Sequence, residues 1–382
     1  MPRKDIALLI ETSNRYGREI VLGVFDFARH CEEWNVHLAE HGRNDFGRDW
    51  QYAAQCDGAI VRVETGVNAQ KARQLPCPVV NISSLGLVPE FVNFVVDSQL
   101  IGQFAGRHLI ERGFSSFAFL GLDQVPWSDQ RQTSFRACLQ AAGFSCTAFL
   151  LAARERMEWD QEQASLIAWL TTLSRPVGIM AATDSLGQYL LQVCQNHALR
   201  VPEDVAVIGV NNDELFCEAC TPSLSSIILN GRQAGHEAAA ALHAMMSGDH
   251  VPAVVRTIPP LGIATRQSTD FVAVDDEQVA AAVRYIRENA CEGICVEDVV
   301  TASHLSRSAL ERRFRKVLRS TLHQQIQQAR ITQVQTMLSQ TKLSLKEIAF
   351  RAGFEYPEYL TVAFKRHTGL SPSEFRRRLR NV

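Results

Sequence analysis

The sequence predicts an α/β domain of two lobes, followed by an all-α domain carrying two helix-turn-helix units. Three observations predict it. Short apolar runs alternate with amphipathic stretches from residue 5 to about 270, and from residue 277 onward the pattern is wholly helical. Positive charge also collects at the end. Residues 303–382 hold 16 Lys and Arg against 5 Asp and Glu, while the other residues hold 23 against 36. A formal net charge of −2 hides that split, which marks a nucleic-acid-binding end on a domain with other business.

The apolar runs come first. "IALLI" (6–10), "GAIVRV" (58–63), "PVVNI" (78–82) and "VNFVV" (92–96) read as buried strands, as do "FAFLG" (117–121), "VGIMAA" (177–182) and "VAVIGV" (205–210). Continuous runs of this length fit parallel strands covered on both faces. The amphipathic stretches 17–31, 98–113, 129–143, 160–173 and 184–198 supply the covering helices, so the rhythm is repeated βαβ. There are too many strands for one sheet, and the order splits near residue 114 into two lobes whose strand ends face a cleft. Residues 1–268 form this domain. A polar, acidic linker, 269–278, joins it to the helical domain, 279–382.

In the helical end, Val296, Val299 and Val300 share a face. The helix stops near "SHLS", and Ser306 caps the next by accepting from an otherwise unpaired amide. There Leu310, Phe314 and Val317 point inward, while Arg307, Ser308, Glu311, Arg312 and Arg315 form a polar outer face. The pattern recurs with Ser344 as cap, Ile348 and Ala349 inward, Gly353 in the turn and Pro357 in the first turn of the next helix. Leu360, Ala363 and Phe364 then point inward. The units lie at about 296–317 and 344–367, and a helix over 321–340, striped by Leu322, Ile326, Val334 and Leu338, holds them apart.

With "LSRSALERRFRKVL", "ARITQVQTML", "SLKEIAFRAGF" and "FKRHTGLSPSEFRRR", residues 279–380 resemble the DNA-binding domain of the AraC/XylS transcription regulators. The resemblance implies two heads entering successive major grooves of double-stranded DNA. Lys365, Arg366, Arg376 and Arg377 would supply phosphate contacts, which drive affinity without reading sequence. Any one of them can instead lie along apolar surface. Base reading falls to Arg307, Ser308, Glu311 and Arg312 in the first unit, and to Tyr356, Glu358, Thr361 and Val362 in the second. Arginine suits guanine and glutamate suits cytosine. Relatives often carry a basic residue where Val362 stands, so contact with thymine methyls is expected there.

The larger region, 5–265, resembles the ligand domain of LacI/GalR-type repressors and periplasmic sugar-binding proteins. The matching segments are "VVDSQLIGQFAGRHLIERG", "FRACLQAAG", "AATDSLGQYLL" and "VPEDVAVIGVNNDEL". Joined in one chain, the two resemblances are those of the xylose-operon activators, to which "LLIETSNRYGREIVLGVFDF", "WNVHLAEHG", "RQSTDF" and "AVRYIRENACEGICVEDVV" are also similar. They imply a small sugar effector, xylose or a related sugar, a homodimer, and RNA polymerase as a partner if the chain activates.

Asn14, Arg18, Asp97, Arg131, Asp184 and Asn211 stand at strand ends or just after them. Asp97, Asp184 and Asn211 match polar ligand positions of the LacI-like fold, and Arg131 competes with Arg136 for the arginine position. Charged groups there suit sugar hydroxyls, each of which both donates and accepts. Trp127 and Phe216 would stack on a pyranose ring. Asp97 and Asp184 can equally cap the helices they precede. Where relatives usually have Asp, this chain has Asn211.

Other classes have less support. The sequence contains no P-loop, GxGxxG or GxSxG, so no enzyme is expected. The pairs Cys217/Cys220 and Cys291/Cys295 lack a second half, so no metal or cofactor is expected, and the ten cysteines read as thiols of a reducing compartment. No apolar run spans a membrane, and the first is too short for a signal peptide. A cytoplasmic, nucleoid-associated protein is expected.

Overall fold

The computed structural model describes residues 3–31, 33–40, 42, 46–152, 159–270, 276–318, 320–341, 343–368 and 370–380. Most of the expected linker, 271–275, lies outside the described residues.

The first lobe begins with β1 (Lys4–Leu9), α1 (Arg15–Cys31), β2 (Trp34–Leu38), α2 (Asp49–Ala53), β3 (Gly58–Val61), α3 (Gly66–Arg73), β4 (Val79–Asn81) and β5 (Val92–Val96). The second follows with α4 (Ser98–Ile110), β6 (Ser116–Asp123), α5 (Pro126–Ala141), β7 (Thr147–Ala152), α6 (Trp159–Thr172), β8 (Val177–Ala181), α7 (Asp184–Asn196), β9 (Val205–Val210), α8 (Glu214–Ala219) and β10 (Ser225–Ile228). The chain then returns to the first lobe through α9 (Gly231–Met246) and β11 (Val255–Ile258), and goes back to the second as β12 (Gly262–Ala264).

Two six-stranded sheets result, ordered β11-β5-β4-β3-β1-β2 and β12-β10-β9-β8-β6-β7. All pairings are parallel except β10 with β12. The seven strands expected from apolar runs all form, because their side chains are buried on both faces. The lobe boundary differs from the expected residue 114. Helix α4 packs on α5, where Gly102 lies so close to Ser134 and Phe135 that a Cβ would sit 2.5 Å from the Phe135 amide nitrogen. The first crossing therefore falls between β5 and α4, near Asp97.

Helices α1 and α9 pack backbone to backbone. A Cβ on Gly23 would come within 2.1 Å of the Arg232 carbonyl oxygen, and one on Gly235 within 2.0 Å of that of Ile20. No side chain fits at either place, which is why a helix drawn from residues 231–246 completes the first lobe.

The helical domain runs α10 (Glu277–Asn289), α11 (Val296–Ser303), α12 (Arg307–Leu318), α13 (Leu322–Gln340), α14 (Leu345–Arg351), α15 (Pro357–Thr368) and α16 (Pro372–Arg380). It has two cores. Val279, Val283, Ile286, Val299, Leu310 and Phe314 close on Leu322 and Ile326 of α13. Ile348, Ala349, Leu360, Phe364 and Phe375 close on Ile331, Val334 and Leu338 of the same helix. Ser306 caps α12 by accepting from the Ala309 amide, and Ser344 forms a capping box with Glu347.

Candidate effector cleft and nucleic-acid interface

In both lobes the loops after the parallel strands meet at the cleft. After β1 comes Glu11, 4% exposed, whose carboxylate accepts from the Asn14 side-chain amide. The Asn14 side-chain oxygen in turn accepts from the Gly17 amide, so Asn14 fixes the start of α1. After β3, Arg62 lies 3.1 Å from Glu64 and 3.6 Å from Glu11, with the Tyr16 ring centred 5.3 Å from its guanidinium carbon. After β4, Ser83 donates to Glu64 at 2.9 Å. Burial pushes the Tyr16 phenol up to about 12. Burial also opposes the Arg62 cation, yet Glu64 and Glu11 outweigh it and raise its proton affinity above the usual arginine value.

The second lobe answers with Arg131 on α5. It is 4% exposed, donates to the Ala182 carbonyl, and stacks 4.9 Å from the centre of the half-buried Trp127 ring. Burial pulls it down to about 10 against the opposing pull of Asp184. Arg136, its rival for the arginine position, is exposed on the outer face of α5. Two guanidinium nitrogens at the cleft, Arg62 Nη1 and Arg131 Nε, are buried without a hydrogen-bond partner.

The other expected residues serve the wall or the rim. Asp97 caps α4, accepting from the Leu100 amide at 2.8 Å. Asp184 does not cap α7, because Thr183 does. Instead Asp184 is 1% exposed, accepts from the Ser226 hydroxyl and the Asp213 amide, and is pushed by burial up to about 6. Asn211 takes φ 119° and Asn212 φ 51°, a left-handed stretch that asparagine tolerates better than most residues. Phe216 lies exposed on α8.

Arg18 donates to the Thr12 carbonyl at 2.9 Å and reaches across the mouth to Asp213 at 3.9 Å. Beside it, the Arg15 amide donates to Asp213 at 2.8 Å and its guanidinium to the Asn212 carbonyl at 3.1 Å. These bonds latch lobe to lobe.

Sequence reasoning missed Glu11, Arg15, Tyr16, Arg62, Glu64, Ser83 and Asp213. A signal was present for three of them. Glu11, Arg62 and Glu64 are charges set directly after buried apolar runs.

A second set of bonds leads from the latch to the helical domain. Arg266 donates to the Asn212 side-chain oxygen at 2.9 Å and pairs with Glu218. Four residues on, Asp270 pairs with Arg287 of α10 at 3.0 Å. Between them Thr269 is bonded to buried His108 at 2.8 Å, and its carbonyl accepts from Arg112. A cavity of about 540 Å³ opens here, lined by α4, α10, α13 and the chain around Arg266.

On the helical domain, Ser308, Arg312 and Arg315 are exposed along one side of α12. Arg307 is exposed too, but tied to Glu297 and Glu311. In α15, Tyr356, Glu358, Val362, Lys365 and Arg366 are exposed, and the Thr361 hydroxyl donates back to the Pro357 carbonyl. Arg376 is half-buried, with its Nε and Nη2 shielded from solvent. The Arg377 side chain lies outside the described residues. Of the residues expected on α12 and α15, Glu311 and Thr361 are half-buried and the others are exposed.

Residues 107–269 match the periplasmic binding protein-like domain model, and residues 299–378 match a helix-turn-helix domain model. The xylose operon regulatory protein of Escherichia coli (strain K12) is 31% identical over 98% of this chain and 97% of its own. That of Haemophilus influenzae is 30% identical over 97% of each.

The chain belongs to the xylose operon regulatory protein family. As a member it is a sugar-responsive, DNA-binding transcription regulator. The solved structure of the xylose-binding transcription activator xylR overlays on 98% of both chains with a TM-score of 0.64 at 30% identity. No described helix is long and apolar enough to cross a membrane.

Proposed function

We propose that the cleft binds a neutral pentose, xylose first among candidates, and that the chain activates transcription when the sugar is bound. The observation that carries this is the pair of buried guanidinium nitrogens that make no hydrogen bond, Arg62 Nη1, held only at ion-pair distance from Glu11, and Arg131 Nε, on facing lobes. A buried donor left unpaired costs about 1–3 kcal/mol, and sugar hydroxyls relieve that cost. Glu11, Glu64 and Asn14 accept the hydroxyl protons, while Trp127 and Tyr16 border the site with rings. Charge-assisted bonds of this kind hold a neutral polyol without needing an anion. The names of the relatives support xylose.

In this reading Asp97 and Asp184 shape the wall, Asn211 holds the turn that carries Asn212 and Asp213, and Arg18 and Phe216 sit at the rim. Sugar favours the latched state because it contacts both lobes, and only that difference shifts the population. The bonds from Asn212 through Arg266 to Asp270 and Arg287 support transmission to the DNA-binding end. A homodimer would set two such ends on adjacent half-sites in the cytoplasm, with RNA polymerase as the partner of activation.

The test is calorimetry of the full chain with xylose, other pentoses and hexoses, followed by footprinting with the best ligand. Saturable binding of a sugar recovered unchanged, together with an altered footprint, supports the proposal. Consumption of the sugar would make the cleft catalytic. Binding that leaves the footprint unchanged would remove the coupling.

A further inference from the structure

On the first lobe, away from the cleft, three side chains converge where α1 and α9 end. They are Cys31 at the last position of α1, Glu33 in the loop after it, and His243 on the last turn of α9. Their ligating atoms all lie within 4.8 Å of one another. Cys31 Sγ and His243 Nδ1 are 3.5 Å apart. A tetrahedral zinc, with sulfur at about 2.3 Å and nitrogen at about 2.0–2.1 Å, sets those two ligands about 3.5 Å apart.

We propose that Cys31, His243 and Glu33 bind a divalent transition metal of the zinc type, with a water as fourth ligand. The thiol and imidazole already lie within hydrogen-bond distance of each other. On binding, the metal takes the place of the Cys31 thiol proton, which passes to solvent, so that Cys31 ligates as a thiolate while neutral His243 gives the Nδ1 lone pair. Phe27 and Trp34 fix the imidazole plane, with ring centres 5.7 and 6.2 Å from that of His243. Glu33 is exposed, and its carboxylate lies within 4.8 Å of both other ligating atoms. Cys31 and His243 are half-buried, so the metal keeps a route to water. Bound there, it clips the far ends of the two helices that Gly23 and Gly235 bring together, on the side of the lobe away from the sugar.

Metal-stripped full-length protein, reduced with a phosphine, is titrated with cobalt(II). One equivalent is expected to give a near-ultraviolet sulfur-to-cobalt band with tetrahedral visible bands, all bleached by zinc. Cys31→Ser is expected to lose the sulfur band, and Glu33→Gln to bind at least about tenfold more weakly. Zinc is expected to raise the melting temperature of the parent chain but not of Cys31→Ser. Absence of cobalt uptake by the parent chain overturns the site. So does an undiminished sulfur band in Cys31→Ser, which would place the metal on other cysteines. Glu33→Gln binding as tightly as the parent removes the third ligand and with it the site as proposed.

Discussion

The two helix-turn-helix units are the same object inside and different objects outside. Leu310 and Phe314 are fully buried in the first, and Leu360 and Phe364, fifty positions later, are fully buried in the second. That register sets Arg312 against Val362, Glu311 against Thr361, and Arg315 against Lys365. The turns differ by one residue and reach the left-handed conformation by different means, with His304 at φ 55° and Gly353 at φ 73°. The glycine is required by its neighbour, since a Cβ there would sit 2.8 Å from the Ala290 carbonyl oxygen. The lesson is that burial dictates the inner positions while the reading face is free to diverge. The first unit shows charges, and the second shows Tyr356, Tyr359 and Val362, all more than half exposed.

The largest effect should come from breaking what joins the units. Arg330 on α13 is 9% exposed and donates to the Ala290 and Ile294 carbonyls at 2.9 Å each, while lying 5.7 Å from the centre of the Phe354 ring. It ties the first unit to the second. Arg330→Ala orphans two carbonyls at about 1–3 kcal/mol each. Thermal unfolding should show the helical domain melting earlier, and operator affinity should fall further than for loss of any one reading residue. A variant that melts and binds like the parent would mean that the heads are joined by α13 alone.

Next is Arg312→Ala, expected to cost about 1–3 kcal/mol on the operator and to relax preference at one base pair. A binding-site selection reads this directly. Equal weakening on random DNA would reassign the residue to the phosphates. Val362→Ala, its counterpart, should cost less than Arg312→Ala and affect only a thymine position.

Val362→Arg sharpens the contrast by giving the second unit the first unit's charge. The slope of log affinity against log salt should steepen by about one phosphate contact. An unchanged slope would show that this face does not approach DNA.

The smallest effect concerns pH. Burial and the neighbouring Arg366 lower the proton affinity of His367, so it takes up its proton at lower pH than a free histidine. His367→Gln should therefore leave the operator-binding profile between pH 8 and 6.5 as in the parent. A profile flattened by the substitution would show that His367 gains its proton there after all.

Much of this arrangement was legible in the sequence. Continuous apolar runs announced seven strands because both sheet faces are covered, and the double helix-turn-helix announced itself by spacing and caps. Five strands were not legible. The edge strand β2 carries Asn35 and His37 on one side, the edge strand β7 is only partly buried, and β10–β12 are short and belong to two lobes. At the cleft, Arg131 was legible by its place in α5, but Arg62 and Glu64 stand at the end of a run read only for its apolar residues. The roles of Asp97 and Asp184 turn on which neighbour accepts which amide, and no spacing reports that. Nor could spacing join Cys31 to His243, which meet only because two glycines draw their helices together.

The path of the chain through the lobes has a consequence for biosynthesis. The first sheet lacks its edge strand β11, and α1 lacks its partner α9, until residues 231–258 have left the ribosome. By then the second lobe needs only β12. The lobe that begins first is thus completed only after nearly all of its younger neighbour has been made, and its open edge must wait exposed until then.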